Sequence, residues 1–139
     1  MIFNQLFDDK SSTYTYIISS GKGREALIID PVIEHTKKYI KILQDLELKL
    51  VKVIDTHIHA DHISGLNELN KQTECTRVMG EESESEVIDL RVKENEKVKI
   101  EEVELTTLYT PGHTKCSYSY LMNDRVFTGD TLLINGSGR

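Results

Sequence analysis

Thr56-His57-Ile58-His59-Ala60-Asp61-His62 is the stretch on which the reading of this chain turns. It sets three imidazoles and a carboxylate between His57 and His62. Leu50–Asp55 is a largely apolar run of strand character, so the chain leaves a strand and meets the histidines at once. Two apart on an extended segment, His57 and His59 put their side chains on one side. Asp61 and His62 fall in the first turn of a helix expected over Asp61–Lys71, with Ile63, Leu66 and Leu69 turned inward. Two later fragments are Thr110-Pro111-Gly112-His113-Thr114 and Phe127-Thr128-Gly129-Asp130-Thr131. Each contains a turn that can carry a polar side chain to a strand end. Any one of these histidines alone reads as a surface or hydrogen-bonded residue. A cluster of this density is costly to bury without a metal or a charge partner, and the three fragments together read as a metal centre.

Working outward, Met1–Phe7 and Ser12–Ser19 alternate as strands around a turn at Asp8–Lys10. Glu25–Asp30 is a short apolar strand stopped by Pro31. Glu34–Glu47 carries Tyr39, Ile40, Leu43 and Leu46 at helical spacing. Thr76–Met79 reads as a strand and acidic Glu81–Glu86 as a solvated loop. Val98–Ile100 with Val103–Tyr109, and Tyr118–Met122 with Arg125–Thr128, read as hairpins, the second turned by Asn123-Asp124. The tail from Ile134 to Arg139 reads as a loop that has just left a strand. Strands, then helix–strand–helix, then strands predict layered α/β packing about one core.

The chain has 139 residues, the size of one domain. Its 17 Lys and Arg against 23 Asp and Glu give a formal net charge of −6, which argues against a nucleic-acid surface. No apolar run is long enough to span a bilayer, and Met1–Lys10 lacks a basic leader, so a cytoplasmic address is expected. Cys75 and Cys116 do not make a disulfide framework, and Cys116 reads as a small apolar residue at a strand start.

Three histidines with carboxylates suit zinc, and two histidines with one carboxylate and open positions suit non-haem Fe(II). Spacing alone leaves a dinuclear hydrolase and a mononuclear oxygenase both open.

On Thr56–Gly65, Thr110–Thr114, Phe127–Ile134 and Gly136–Arg139, the chain resembles the metallo-β-lactamase superfamily, and within it the persulfide dioxygenases. The opening Phe3–Phe7 and Ser12–Tyr16 resemble that family too. The resemblance implies an αβ/βα sandwich, of which residues 1–139 are the N-terminal portion of a single incomplete domain, its second half truncated. It places one Fe(II) on His57, His113 and Asp130. His59, Asp61 and His62 would hold the ligands from behind or take a second metal. Thr114 and Arg139 would face the substrate. The implied reaction oxidises glutathione persulfide, or another low-molecular-weight persulfide, with O₂ to sulfite and thiol. Zinc can stand in the site as purified.

The runner-up resemblance is to glyoxalase II-like zinc hydrolases, which cleave thioesters. There a Gly-His pair follows the Gly-His-Thr, where this chain has Lys115-Cys116-Ser117, and a further histidine follows, whereas none follows His113 here. A third reading is a metal-binding remnant without turnover. A half-sandwich exposes a sheet face or edge, so a homo-oligomer covering the missing half is expected, with no nucleic-acid or membrane partner.

Overall fold

Parallel strands buried on both faces become continuous apolar runs, and Ala26-Leu27-Ile28-Ile29 is such a run. In the computed structural model, which describes residues 1–59, 64–112, 114–129, 132–133 and 136–137, it forms β3 (Glu25–Ile29) near the middle of a six-stranded sheet. The order is β1 (Ile2–Asp8), β2 (Thr13–Ser19), β3, β4 (Lys49–Ile54), β5 (Thr76–Gly80) and β6 (Leu90–Val92). The first three strands are antiparallel, and β3 to β6 run parallel. A second, antiparallel sheet has the order β10 (Val126–Phe127), β9 (Tyr118–Leu121), β8 (Val103–Tyr109), β7 (Lys97–Ile100). A small hairpin, β11 (Leu132–Leu133) with β12 (Gly136–Ser137), stands where the tail was expected to be loop.

Alternation along β3 divides the core. Leu27 and Ile29 face the second sheet with Ile54, Val78, Leu105, Tyr120 and Phe127. Ala26 and Ile28 face the helices with Tyr39, Leu43, Leu66 and Leu69. Each such aliphatic burial contributes on the order of 1.5–3 kcal/mol. Helix α1 (Thr36–Asp45) buries Tyr39 and Leu43, four residues apart on one face. It ends where Glu47 turns left-handed (φ 57°), so Leu48 N–H reaches Leu43 O at 2.8 Å and Glu47 N–H reaches Gln44 O at 3.1 Å. The layers are therefore helix, sheet, sheet. Among the described residues no helix covers the outer face of the second sheet, and none is long and apolar enough to cross a membrane.

Two expectations shift. The helix predicted over Asp61–Lys71 is α2 (Leu66–Thr73), because Ser64 is still extended in a bridge to Val32 and Gly65 N–H is held by Pro31 O at 2.9 Å. Strand β6 was not expected. It is three residues long, with Arg91 at its centre and Asp89 just before it, and these charges mask the pattern.

The carboxyl ends of β3 and β4 and the end of β10 meet at one rim of the sandwich. That is the edge where open α/β sheets present their ligand-binding side chains.

Candidate metal centre

Asp30 is the first residue past β3, and it is buried. Its backbone is left-handed (φ 54°), an uncommon state for a residue other than glycine. Its own peptide is anchored at both atoms: Asp30 N–H donates to Ile54 O at 2.7 Å, and Asp30 O accepts from Thr15 Oγ1 at 2.7 Å. The carboxylate is thereby aimed at the segment leaving β4. It accepts Thr56 N–H at 2.8 Å on Oδ1, Thr56 Oγ1–H at 2.8 Å on Oδ2, and His59 Nε2 at 3.1 Å on Oδ1. Thr56 Oγ1 lies 2.9 Å from His57 Nδ1. The His57 and His59 rings stand with centroids 4.2 Å apart, on one side of the chain as their spacing predicts.

A second carboxylate, Asp55, lies beside this nest, with Oδ1 3.9 Å from His59 Nε2. Ligand atoms of Asp30, Asp55 and His59 all fall within 4.8 Å of one another. Burial alone disfavours both carboxylates. For Asp30, the His59 ring and the Thr56 N–H outweigh it and hold the carboxyl below its ordinary range. For Asp55, burial prevails over His59 and, with the Asp30 charge, pushes it up to about 7. Asp55 Oδ1 and Tyr120 Oη are buried and have no hydrogen-bond partner among the described residues. Two carboxylates and two imidazoles around under-satisfied oxygens are hard and borderline donors, a set that fits a divalent cation.

The facing wall comes from the second sheet. Tyr118 N–H donates to Thr56 O at 2.9 Å, tying the start of β9 to the histidine segment. Cys116 Sγ, buried, accepts Ile58 N–H at 3.3 Å and lies 3.3 Å from Thr114 Oγ1. Gly129, at φ 55°, sits so close that a Cβ would come within 2.4 Å of Thr56 Oγ1 and 3.3 Å of His57 Nδ1. The turn after β10 is therefore pressed onto the histidine segment at a position only glycine fits.

The structure brings His57 and His59 together, as the spacing predicts. Thr114 sits in the facing wall, its hydroxyl 2.7 Å from Ser117 Oγ within its own turn. Asp61, His62, His113, Asp130 and Arg139 lie outside the described residues. The chain neighbours Thr114 and Gly129 both belong to the wall that meets His57 or its segment. Sequence reasoning missed Asp30 and Asp55. The available signal was a carboxylate closing each of two buried parallel strands. Cys116 is buried as expected, but its sulfur also joins two loops of the site.

Residues 8–139 match the Metallo-beta-lactamase superfamily. The mouse mitochondrial persulfide dioxygenase ETHE1 is 37% identical over all of this chain and 56% of its own length. The crystal structure of ETHE1 from Myxococcus xanthus superposes with a TM-score of 0.96 at 44% identity, covering 100% of this chain and 61% of that one. A hydroxyacylglutathione hydrolase from Dictyostelium discoideum is 33% identical over 91% of this chain and 50% of its own. The chain thus spans little more than half the length of the curated relatives it matches. A match over nearly the whole sequence, on a sandwich whose rim gathers the histidine segment and both later turns, leaves one assignment: this chain belongs to the metallo-beta-lactamase superfamily.

Proposed function

We propose that this chain carries the metal-binding part of a persulfide dioxygenase, with one Fe(II) on His57, His113 and Asp130. The observation that carries the reading is the buried nest in which Asp30 and Thr56 set His57 and His59 side by side against the Gly129 turn. The high similarity to ETHE1 proteins supports it. When bound, Fe(II) supplies open coordination positions for O₂ and a persulfide sulfur. The chain's own residues do the rest. Asp30 keeps His59 oriented, and Thr56 keeps His57 oriented. Cys116, Gly129 and Tyr118 hold the facing wall close. The aromatic side chains Tyr16 and Phe127, with ring centroids 4.8 Å apart, line a cleft beside His59 and Asp30. The substrate of this reading is glutathione persulfide or a similar small persulfide, with Thr114 and Arg139 on its side, and sulfite and thiol are the products. A cytoplasmic address and a homo-oligomer belong to the same proposal.

The second reading, a zinc thioester hydrolase, is favoured by the hydroxyacylglutathione hydrolase relatives and by the extra carboxylates around His59. One experiment separates the readings. The chain is loaded anaerobically with Fe(II) or Zn²⁺, its metal content is measured, and O₂ uptake with glutathione persulfide is compared with cleavage of a hydroxyacylglutathione. Iron-dependent O₂ uptake with sulfite release is expected. Zinc-dependent thioester cleavage without O₂ uptake replaces the proposal with the hydrolase, and metal binding with neither activity replaces it with a non-catalytic remnant.

A further inference from the structure

We propose that the cleft between the histidine segment and the loop after β5 is a subsite for an uncharged aliphatic group, and that the small persulfide this chain takes is an alkyl persulfide. The sulfur chemistry rests on the dioxygenase reading. The alkyl subsite rests on the cleft alone.

Two clefts reach His59 from different walls. The one beside Asp30 is lined by hydroxyl-bearing Ser12, Thr13, Tyr14, Tyr16 and Thr128. The other has a volume of about 220 Å³ and an apolar lining of Ile58, Leu66, Met79, Val87 and Ile88. A cavity of about 150 Å³ takes a benzene ring, so this one takes a group of roughly six carbons. Leu66 and Met79 are buried and form its depth, while Ile58 and Val87 are 48% and 44% exposed and form its mouth. An apolar ligand seated there removes both from water. Asp55 lines the same cleft, is buried, and has no hydrogen-bond partner at Oδ1. An apolar hollow with one unpaired polar atom has the form of a small-molecule site, and the polar atom turns the ligand's polar end toward the metal centre.

Charge selects the ligand. Among the described residues that line the cleft there is no lysine or arginine. The two arginines of β5 and β6 are engaged elsewhere. Arg77 forks onto Asp89 at 3.0 Å and donates to Asn67 Oδ1 at 3.0 Å. Arg91 donates to the carbonyls of Ser83 and Ser85. The loop that leads to Val87 exposes Glu81, Glu82, Glu84 and Glu86. Such a rim repels glutathione, whose net charge is negative, and leaves an uncharged alkyl group unaffected.

Both walls are already in place. Ile58 N–H is held by Cys116 Sγ at 3.3 Å. The opposite loop is tied by Arg91 and by Tyr118 Oη, which donates to Glu82 Oε1 at 2.7 Å. Little ordering remains to oppose binding.

The test titrates the metal-free full chain with alkanethiols from ethanethiol to hexanethiol and with glutathione, read by ¹H–¹³C methyl spectra. Shifts are expected at Ile58, Leu66, Met79, Val87 and Ile88, with Kd tightening about two- to fourfold per added methylene. Glutathione should leave these methyls unmoved. Val87→Asp and Val87→Lys should each weaken hexanethiol at least tenfold, melting temperature verifying that they fold; if one does not, the other decides. Binding without length dependence, equal shifts with glutathione, or charged variants that bind as the unaltered chain does overturn the subsite. In the Fe(II)-loaded chain, hexyl persulfide should consume O₂ with a higher kcat/KM than glutathione persulfide, and the reverse order overturns the substrate assignment. O₂ uptake with neither persulfide removes the dioxygenase reading and with it the alkyl persulfide, while the metal-free titration still decides the subsite.

Discussion

Two aspartates in this molecule, Asp8 and Asp30, gather the same three kinds of donor. Asp8 accepts Ser11 N–H at 3.0 Å, Ser11 Oγ–H at 2.5 Å and His35 Nε2 at 2.9 Å. Asp30 accepts Thr56 N–H, Thr56 Oγ1–H and His59 Nε2 at 2.8 to 3.1 Å. Both carboxyls are held below their ordinary range. The difference lies in what surrounds them. The His35 side chain is 36% exposed, and the His59 side chain is 4% exposed with Asp55 at its back. Asp8 is itself buried, but Ser11 is half-buried and His35 reaches solvent, so at the β1–β2 turn water can replace a lost donor and the cluster fastens a turn. In the interior nothing replaces them, so the same three bonds dictate ring orientation. The same kinds of donor become a site only where the donors themselves are buried and have no alternative.

The largest effect that could break this comparison is loss of the carboxylate itself. Asp30→Ala leaves the Thr56 hydroxyl and N–H and the His59 ring facing a void, and should destabilise the fold by about 3–5 kcal/mol. Asp8→Ala removes the same three acceptor contacts, but its donors can turn to water, so it should cost less. Urea unfolding of the two variants side by side is the measurement. Equal losses would show that burial does not separate the clusters.

Gly129 sharpens the comparison from the opposite wall. Gly129→Ala meets Thr56 Oγ1 at 2.4 Å and must hold a left-handed backbone at φ 55°. Overpacking costs about 1–3 kcal/mol and the left-handed state about 1–2 kcal/mol more. The variant should unfold about 2–5 kcal/mol more easily and bind Zn²⁺ more weakly, because the displaced atom is the hydroxyl that faces His57. A variant of unaltered stability and affinity would mean that the turn does not press on the nest. Among the described residues no glycine presses on the Asp8 cluster in this way.

These positions differ in how legible they are. The histidine segment declares itself, because closely spaced imidazoles have few other uses. The strand–helix order follows from the apolar pattern, a continuous run at Ala26–Ile29 and a four-residue spacing at Tyr39–Leu43. Gly129 is visible as a turn residue, but nothing in the letters reveals that its missing side chain makes room for Thr56. Asp30 is hidden more deeply. An aspartate before a proline reads as a strand stop, and its left-handed backbone and its reach of 26 residues to Thr56 exist only in three dimensions. Thr56 hides by being an ordinary β-branched residue beside conspicuous histidines. The groups that hold a site from behind are common residue types in uncommon places, so pattern finds the ligands before it finds their supports.

The mildest test concerns the hairpin cluster and is a matter of sign. Asp8 is held at about 2 against an ordinary 3.8, chiefly by the Ser11 hydroxyl and then by His35. A carboxyl whose folded pKa lies below its unfolded one stabilises the fold above the unfolded value and loses that contribution as pH falls through the folded value. Asp8→Asn removes this dependence. The melting temperature of the unaltered chain should therefore exceed that of the variant by a constant margin at neutral pH. The margin should shrink as pH falls through 3.8 and be gone below about 2. A margin that persists below that point would assign the Asp8 contribution to shape and hydrogen bonding rather than to charge. The rim cluster would then differ from the Asp30 nest in kind as well as in exposure.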